Sequence, residues 1–264
     1  MTPSAREIFG DERYRTYLLH SHLAGFRRKI ERSLSIIRDA LAQCQNPYVA
    51  WSGGKDSTAM LDLVMHVRPG IPALCVQSDL DLPDDIEVVR DGAERMGVNL
   101  TLIHPAVSGW DVLRECGGPF GQVNVAASKL DRLCFFESLE REVNARGYDL
   151  AFLGLRAGES RARLMNRRVR GVIYANKSRG ISVCTPIADW SGMDVYAYLA
   201  SRALPINAVY GKDKFHPDPS RIREGWWIPG ETTSMLGGVV WLRHYYPELY
   251  RRLAAEYPEV ASRV

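Results

Sequence analysis

The segment that most restricts this chain is Ser52-Gly53-Gly54-Lys55-Asp56-Ser57, which lies between two apolar patterns. Before it, Tyr48-Val49-Ala50-Trp51 is continuously apolar, as in a strand buried on both faces. After it, Ala59, Met60, Leu63, Val64 and Val67 recur at helical spacing, predicting a helix over 58–67. Strand, glycine turn and helix in that order place the loop at the carboxyl end of a parallel sheet, where such folds take ligands. Gly53 and Gly54 permit a tight turn and close approach to an anion. The helix start turns amides and a positive dipole toward the same point. Ser52, Ser57 and Thr58 add hydroxyls, and Lys55 adds a full charge. Asp56 is the unexpected member of an anion site: it either holds the loop closed or positions Mg²⁺.

The same rhythm continues along the chain. A strand is expected at 73–76, a helix over 83–96 with Ile86, Val89, Ala93 and Met96 inward, and a strand at 98–103. A less regular section holds 110–116, followed by a helix over 130–144 and a strand at 150–153. Upstream, Ile30, Leu34, Ile37 and Leu41 mark one helix face, ended by Asn46-Pro47. Downstream come a basic stretch at 161–170, a strand over 181–187, a helix over 193–202 and an aromatic tail with a helix near 247–256. The fold class is therefore α/β, a Rossmann-like parallel sheet with helices on both faces, plus an irregular helical C-terminal region. Three segments are expected: an N-terminal helical segment (1–46), a nucleotide-binding core (47–160) and an extension that completes the same domain (161–264).

Composition excludes several classes. At 264 residues and 25% charged, the chain can bury a core without disulfide or metal staples. A net charge of +3 is compatible with phosphate or nucleic-acid partners without demanding them. The first 15 residues are polar, and no 18-residue apolar run exists, so a cytoplasmic protein without a membrane partner is expected. Cys44, Cys75, Cys116, Cys134 and Cys184 are odd in number and never spaced C-x-x-C. Neither a disulfide framework nor a compact zinc or iron–sulfur site is expected.

The loop is too short for a G-x-x-x-x-G-K-[ST] phosphate loop. It resembles instead the S-G-G-x-D-S loop of the ATP pyrophosphatases, the PP-loop superfamily with its adenine nucleotide α-hydrolase-like fold. Two further segments narrow the resemblance. Gly154-Leu155-Arg156-Ala157-Gly158-Glu159-Ser160-Arg161-Ala162-Arg163 is similar to the G-x-R-x-x-E-S-x-x-R segment of the phosphoadenosine-phosphosulfate (PAPS) reductase family. Thr185-Pro186-Ile187-Ala188-Asp189-Trp190, with Asp194-Val195 and Leu204-Pro205-Ile206-Asn207, resembles that family's P-I-x-x-W…D-V…L-P-x-N segment. Together they span about residues 30–210. The resemblance implies an enzyme that binds ATP with Mg²⁺, holds the β,γ-pyrophosphate in the loop and cuts between the α- and β-phosphates. The implied ATP-binding residues are Ser52, Gly53, Gly54, Lys55, Asp56, Ser57, Gln77, Gly154, Arg156 and Glu159. Lys55, Asp56, Arg156 and Arg163 are the implied catalytic residues, and Asp56 is the candidate metal ligand. Arg156 and Arg163 carry planar forks suited to phosphate, and Glu159 can pair with one of them.

Departures from the family pattern matter as well. Gln77-Ser78-Asp79 and Leu80-Asp81-Leu82-Pro83 stand where relatives carry Asp-Thr-Gly, so Gln77 brings no carboxylate. Asp79 or Asp81 either substitutes for it or caps the next helix. The reductases' C-terminal Glu-Cys-Gly has no counterpart after Cys184, and Glu115-Cys116-Gly117 spells it only mid-chain. Thiol-based reduction and an iron–sulfur cluster are therefore not expected. Cys134 is read first as a small hydrophobe, and His104 as either a crevice or a loop residue. Trp226, Trp227, Trp241, Tyr245 and Tyr246 are read as local core rather than a base-stacking platform. Within the wider family, the chain most resembles the ATP pyrophosphatase component of DNA phosphorothioation. That implies a DNA or other polyanionic acceptor, a cysteine desulfurase as sulfur donor, and compatibility with a homo-oligomer. Arg167, Arg168 and Arg170 are first a solvated face, and functionally a path for such an acceptor. The alternatives are a sulfate-assimilation enzyme (a sulfate adenylyltransferase subunit or a divergent PAPS/APS reductase) and a non-catalytic, ATP-gated partner module.

Overall fold

Six strands form one sheet: β1 (Pro47–Ala50), β2 (Pro72–Val76), β3 (Asn99–Ile103), β4 (Leu150–Leu153), β5 (Ile173–Asn176) and β6 (Ile181–Cys184). The structure is a computed structural model that describes residues 2–119, 128–212 and 235–262. The strand order is β3-β2-β1-β4-β6-β5. All neighbours run parallel except β5, which pairs antiparallel with β6 at the edge. The expected parallel sheet thus gains one antiparallel strand, and the strand expected over 181–187 ends at Cys184.

The helices are α1 (Ala5–Ser21), α2 (Ala24–Leu41), α3 (Lys55–Val67), α4 (Pro83–Met96), α5 (Gly109–Glu115), α6 (Glu137–Arg146), α7 (Arg161–Arg170), α8 (Gly192–Ser201), α9 (Met235–Tyr245), α10 (Pro247–Glu256) and α11 (Pro258–Ser262). Alternate strand residues go to opposite faces of the sheet. Val49, Phe152 and Cys184 meet the larger core under α2, α3, α4 and α8, while Tyr48, Leu74 and Ala151 pack with Leu139 and Val143 of α6. Local signals explain several boundaries. Pro83 opens α4 and Gly97, at φ +65°, closes it. Ser4 and Glu7 form a reciprocal cap at the start of α1, the Ser4 amide donating to Glu7 Oε2 at 2.7 Å.

Some expectations shift. α3 begins at Lys55, three residues earlier than expected, so Lys55, Asp56 and Ser57 are its first turn. The section at 110–116 is mostly helical, as α5, because the Ser108 side chain caps it. The helix expected over 130–144 is a π-helical turn, Asp131–Phe136, continuing into α6. On α4 the expected Val89 is buried, and Ala93 and Met96 pack partly buried against the core, while Val88 and Gly92 are buried in addition and Ile86 is not among the core residues. Trp241 and Tyr246 are buried with ring centroids 5.1 Å apart, and Tyr246 donates to Asp84 Oδ2 at 2.7 Å. Trp226 and Trp227 lie outside the described residues. Among the described residues no helix is long and apolar enough to cross a membrane.

Candidate active site

From β1 the chain steps outward to β2 and β3, then returns to lay β4 on the other side of β1. The direction switches between β1 and β4, the place where open α/β sheets leave a crevice. The turn after β1 and the turn after β4 face each other there. They enclose a cleft of about 190 Å³ lined by Ser52, Gly54, Lys55, Asp56, Ser57, Gly154, Leu155, Glu159, Arg163 and Tyr210.

Two glycines make this approach possible. Gly53 sits at φ +79°, a conformation that side chains disfavour. A Cβ on Gly154 would fall 2.7 Å from Ser57 Cα and N, so the end of β4 touches the first turn of α3. The loop braces itself through its hydroxyls. Ser57 Oγ donates to the Gly54 carbonyl at 3.0 Å, and the Gly54 amide donates to Ser52 Oγ at 3.3 Å. Thr58 is fully buried, and its hydroxyl accepts from Trp51 Nε1 at 3.0 Å. It underpins the loop and does not face the cleft.

Behind the cleft runs a chain of alternating charges. Lys55 Nζ is 2.8 Å from Asp56 Oδ2, and Asp56 Oδ1 accepts from Arg156 Nε at 2.5 Å. Arg156 Nη2 donates to Glu159 Oε1 at 3.2 Å, and Glu159 Oε2 accepts from Arg163 Nη1. Alternation is what allows these charges to be buried. Among the described residues this relay consists of three cations and two anions. The Lys55 side chain is only 2% exposed, whereas Arg163, at 36%, opens to solvent.

The predicted site residues thus separate. Ser52, Gly54, Lys55, Asp56, Ser57, Gly154, Glu159 and Arg163 come together around the cleft, with Gly53 in the turn. Arg156 stands behind the lining, its guanidinium held by two carboxylates. Both oxygens of Asp56 face cations, which fits a brace and not a metal ligand. Among the described residues no group of three or more His, Cys, Asp or Glu could hold a metal ion. The donor set suits a polyphosphate, whose own oxygens would supply most ligands of a bound Mg²⁺. Gln77 is not in the cleft lining: it is buried just after β2, with no hydrogen-bond partner for its side-chain Nε2 among the described residues. His104 is exposed, its Nδ1 3.4 Å from the Gln77 carbonyl. Asp79 accepts from Ser108 Oγ at 2.6 Å and the Gly109 amide at 2.8 Å, so it holds the start of α5. Asp81 accepts from the Ser78 amide at 2.9 Å within its own turn. Burial pushes Asp81 up to about 7, against that hydrogen bond and with help from Asp85 and Asp79. Burial, with Asp79 and Asp81 nearby, pushes the Cys134 thiol up to about 11. Cys134 is therefore a buried thiol, held protonated at neutral pH.

The segment from 185 to 207 is scaffolding. Trp190 Nε1 donates to Ser33 Oγ at 3.0 Å. Asp194 accepts from Lys29 Nζ at 2.6 Å and from the Ser191 amide at 2.7 Å, with His20 Nε2 at 2.8 Å. These bonds tie α1 and α2 to the start of α8. Sequence reasoning missed Tyr210 and Leu155 as cleft residues; the only signal for Tyr210 was its place three residues beyond Asn207.

The family model for the phosphoadenosine phosphosulfate reductase domain matches residues 46–253. Sulfate adenylyltransferase subunit 2 of Marinomonas sp. (strain MWYL1) is 24% identical over 221 residues, 75% of this chain and 71% of that protein. Phosphoadenosine 5'-phosphosulfate reductase of Xanthomonas axonopodis pv. citri is 29% identical over 169 residues, 63% and 66% of the two chains. Among solved structures, the PAPS reductase of Candida auris in a phosphate complex superposes with a TM-score of 0.55 at 21% identity, covering 67% of this chain and 82% of that one. Yeast FAD synthetase in complex with FAD gives 0.51 at 12% identity, covering 94% and 86%. At these identities the structural likeness is one of fold.

Proposed function

The chain belongs to the phosphoadenosine phosphosulfate reductase domain family, and from that premise we propose that it is an enzyme that binds ATP over residues 52–57 and cleaves it between the α- and β-phosphates. One observation carries the proposal. At the switch point of the sheet, the first turn of α3, Lys55 and Arg163 converge on one cleft. That arrangement suits the leaving pyrophosphate. An acceptor oxygen attacks the α-phosphorus, the bond to the α,β-bridging oxygen breaks, and the electron pair leaves with pyrophosphate. Charge on the departing group is met by the Lys55 ammonium and the helix amides.

The acceptor has two candidates. The names of the sulfate adenylyltransferase relatives favour sulfate. The outer face of α7 favours a polyanion such as a DNA backbone phosphate. Arg163 and Arg167 are paired with Glu159 and Asp189, while Arg161 and Arg168 are exposed on the same helix whose Arg163 lines the cleft. Only this second acceptor calls for a cysteine desulfurase to deliver sulfur. ATP labelled at the α-phosphate, incubated with Mg²⁺ and either sulfate or a DNA oligonucleotide, should yield labelled AMP or an adenylylated acceptor together with pyrophosphate. Labelled ADP would refute the proposal. Lys55→Ala should lower pyrophosphate release by about a hundredfold or more.

A further inference from the structure

Tyr210 stands at the very end of the span that the recognisable segments cover, outside any of their motifs, yet it forms one wall of the cleft. Its hydroxyl accepts a hydrogen bond from the Lys55 amide at 3.1 Å. That amide is the first of α3, one of those a helix leaves without an internal partner. The Lys55 ammonium also lies 5.1 Å from the centre of the Tyr210 ring. One side chain from late in the chain therefore meets both the backbone and the charge of Lys55.

The ring is held firmly. Tyr210 is 4% exposed and meets Tyr196 edge-on at 6.1 Å, and Tyr196 in turn stacks on Tyr17. The short 3₁₀ turn that carries it, Ala208–Gly211, is anchored by Asn207. Asn207 Oδ1 accepts from the Val209 amide at 2.8 Å, and its Nδ2 donates to Asp85 Oδ1 at 2.6 Å. Moving the phenol out of the cleft would disturb all of these contacts.

We propose that Tyr210 is a binding residue of the cleft, its hydroxyl donating a hydrogen bond to a phosphate oxygen of the bound nucleotide. The proposal rests on the cleft being the ATP phosphate site. An anion seated against Lys55 and the start of α3 comes within reach of this hydroxyl. Two oxygens that both accept repel each other, so the phenol can meet a phosphate only as a donor. Accepting from the Lys55 amide polarises its own O–H and strengthens that donation, and a charged acceptor strengthens it further.

Titration calorimetry on the wild type and Tyr210→Phe, with pyrophosphate, ATP and adenosine as separate ligands, tests this. The phenylalanine keeps the ring and removes only the oxygen, and a melting curve verifies the fold. Tyr210→Phe should bind pyrophosphate and ATP about tenfold more weakly, the worth of a hydrogen bond to a charged group. Adenosine affinity should stay within about twofold. Unchanged or tighter pyrophosphate binding overturns the proposal, since tightening would mean that the hydroxyl competes with the anion. A parallel loss for all three ligands also overturns it, because a merely structural role would act on all of them. A wild type that binds neither ATP nor pyrophosphate overturns the cleft assignment and this inference with it. Binding by the wild type with no loss in the variant removes Tyr210 alone.

Discussion

Gly154 ends β4 where the crevice opens, and replacing it with alanine separates the two turns that form the site. The added Cβ would lie 2.7 Å from Ser57 Cα and N and 2.9 Å from the Asp56 carbonyl carbon. All three are backbone atoms, so no rotamer change relieves the clash. Ordinary contact begins at 3.4 Å, so the strand end and the loop must part by about 0.7 Å (3.4 minus 2.7). Overpacking of this kind costs about 1–3 kcal/mol of stability. A displacement approaching 1 Å in groups that position a reacting phosphate costs on the order of ten- to a hundredfold in rate. Gly158, in the same turn, has nothing within 4 Å of its Cβ position and serves as the control. Gly158→Ala should stay within about 0.5 kcal/mol of wild type and keep its rate. The measurements are thermal melting and pyrophosphate release from ATP, made on both variants. Gly154→Ala that melts and turns over like Gly158→Ala would refute the close seating of β4 on the loop.

Two further predictions concern carboxylates outside the cleft, the buried Asp194 and the half-buried Asp81. Burial works against ionised Asp194, but hydrogen bonds from Lys29, His20 and Ser191 outweigh it and hold the carboxyl at about 2. Stability from such a lowered carboxyl is present above the unfolded value and lost as pH falls through about 2. Asp194→Asn should therefore cost about 2 kcal/mol at pH 7, with the gap to wild type closing between about pH 4 and pH 2 in denaturant titrations. Asp81 has the opposite sign. Its raised carboxyl destabilises the fold as pH climbs from about 4 through about 7. Asp81→Asn should then stabilise by about 1–3 kcal/mol at pH 8 and be neutral near pH 4; a pH-independent difference would count against the burial of Asp81.

What could be read from the sequence was what local chemistry determines. The β1–loop–α3 unit was legible because an apolar run, two glycines and a helical period follow one another without interruption. The ends of α4 were legible because Pro83 and Gly97 punctuate it. Its buried face was legible only in part: Val89, Ala93 and Met96 meet the core as expected, but the centre of that face is Gly92. There a Cβ would fall 3.1 Å from the Trp51 ring and 3.2 Å from Pro205, so the contact demands a residue with no hydrophobic signal. β5 was missed because it exists only through antiparallel pairing with β6 at the sheet edge. In the site, Lys55 and Asp56 were visible from spacing. The bond from Arg156 to Asp56 joins residues 100 apart, and that from Lys55 to Tyr210 joins residues 155 apart. No local pattern encodes either.

Those long-range bonds explain why an anion cleft contains an aspartate at all. Lys55 is almost fully enclosed, and an enclosed ammonium without a counter-charge would lose its proton or the fold would lose stability. Asp56 supplies the counter-charge and also reaches Arg156 on the opposite turn, so one carboxylate joins the loop after β1 to the loop after β4. Glu159 repeats the device one step further out and leaves Arg163 at the solvent edge. The anions in this chain are therefore not competitors of the ligand. They set the spacing between cations that would otherwise repel, and so hold Lys55 and Arg163 together on one cleft.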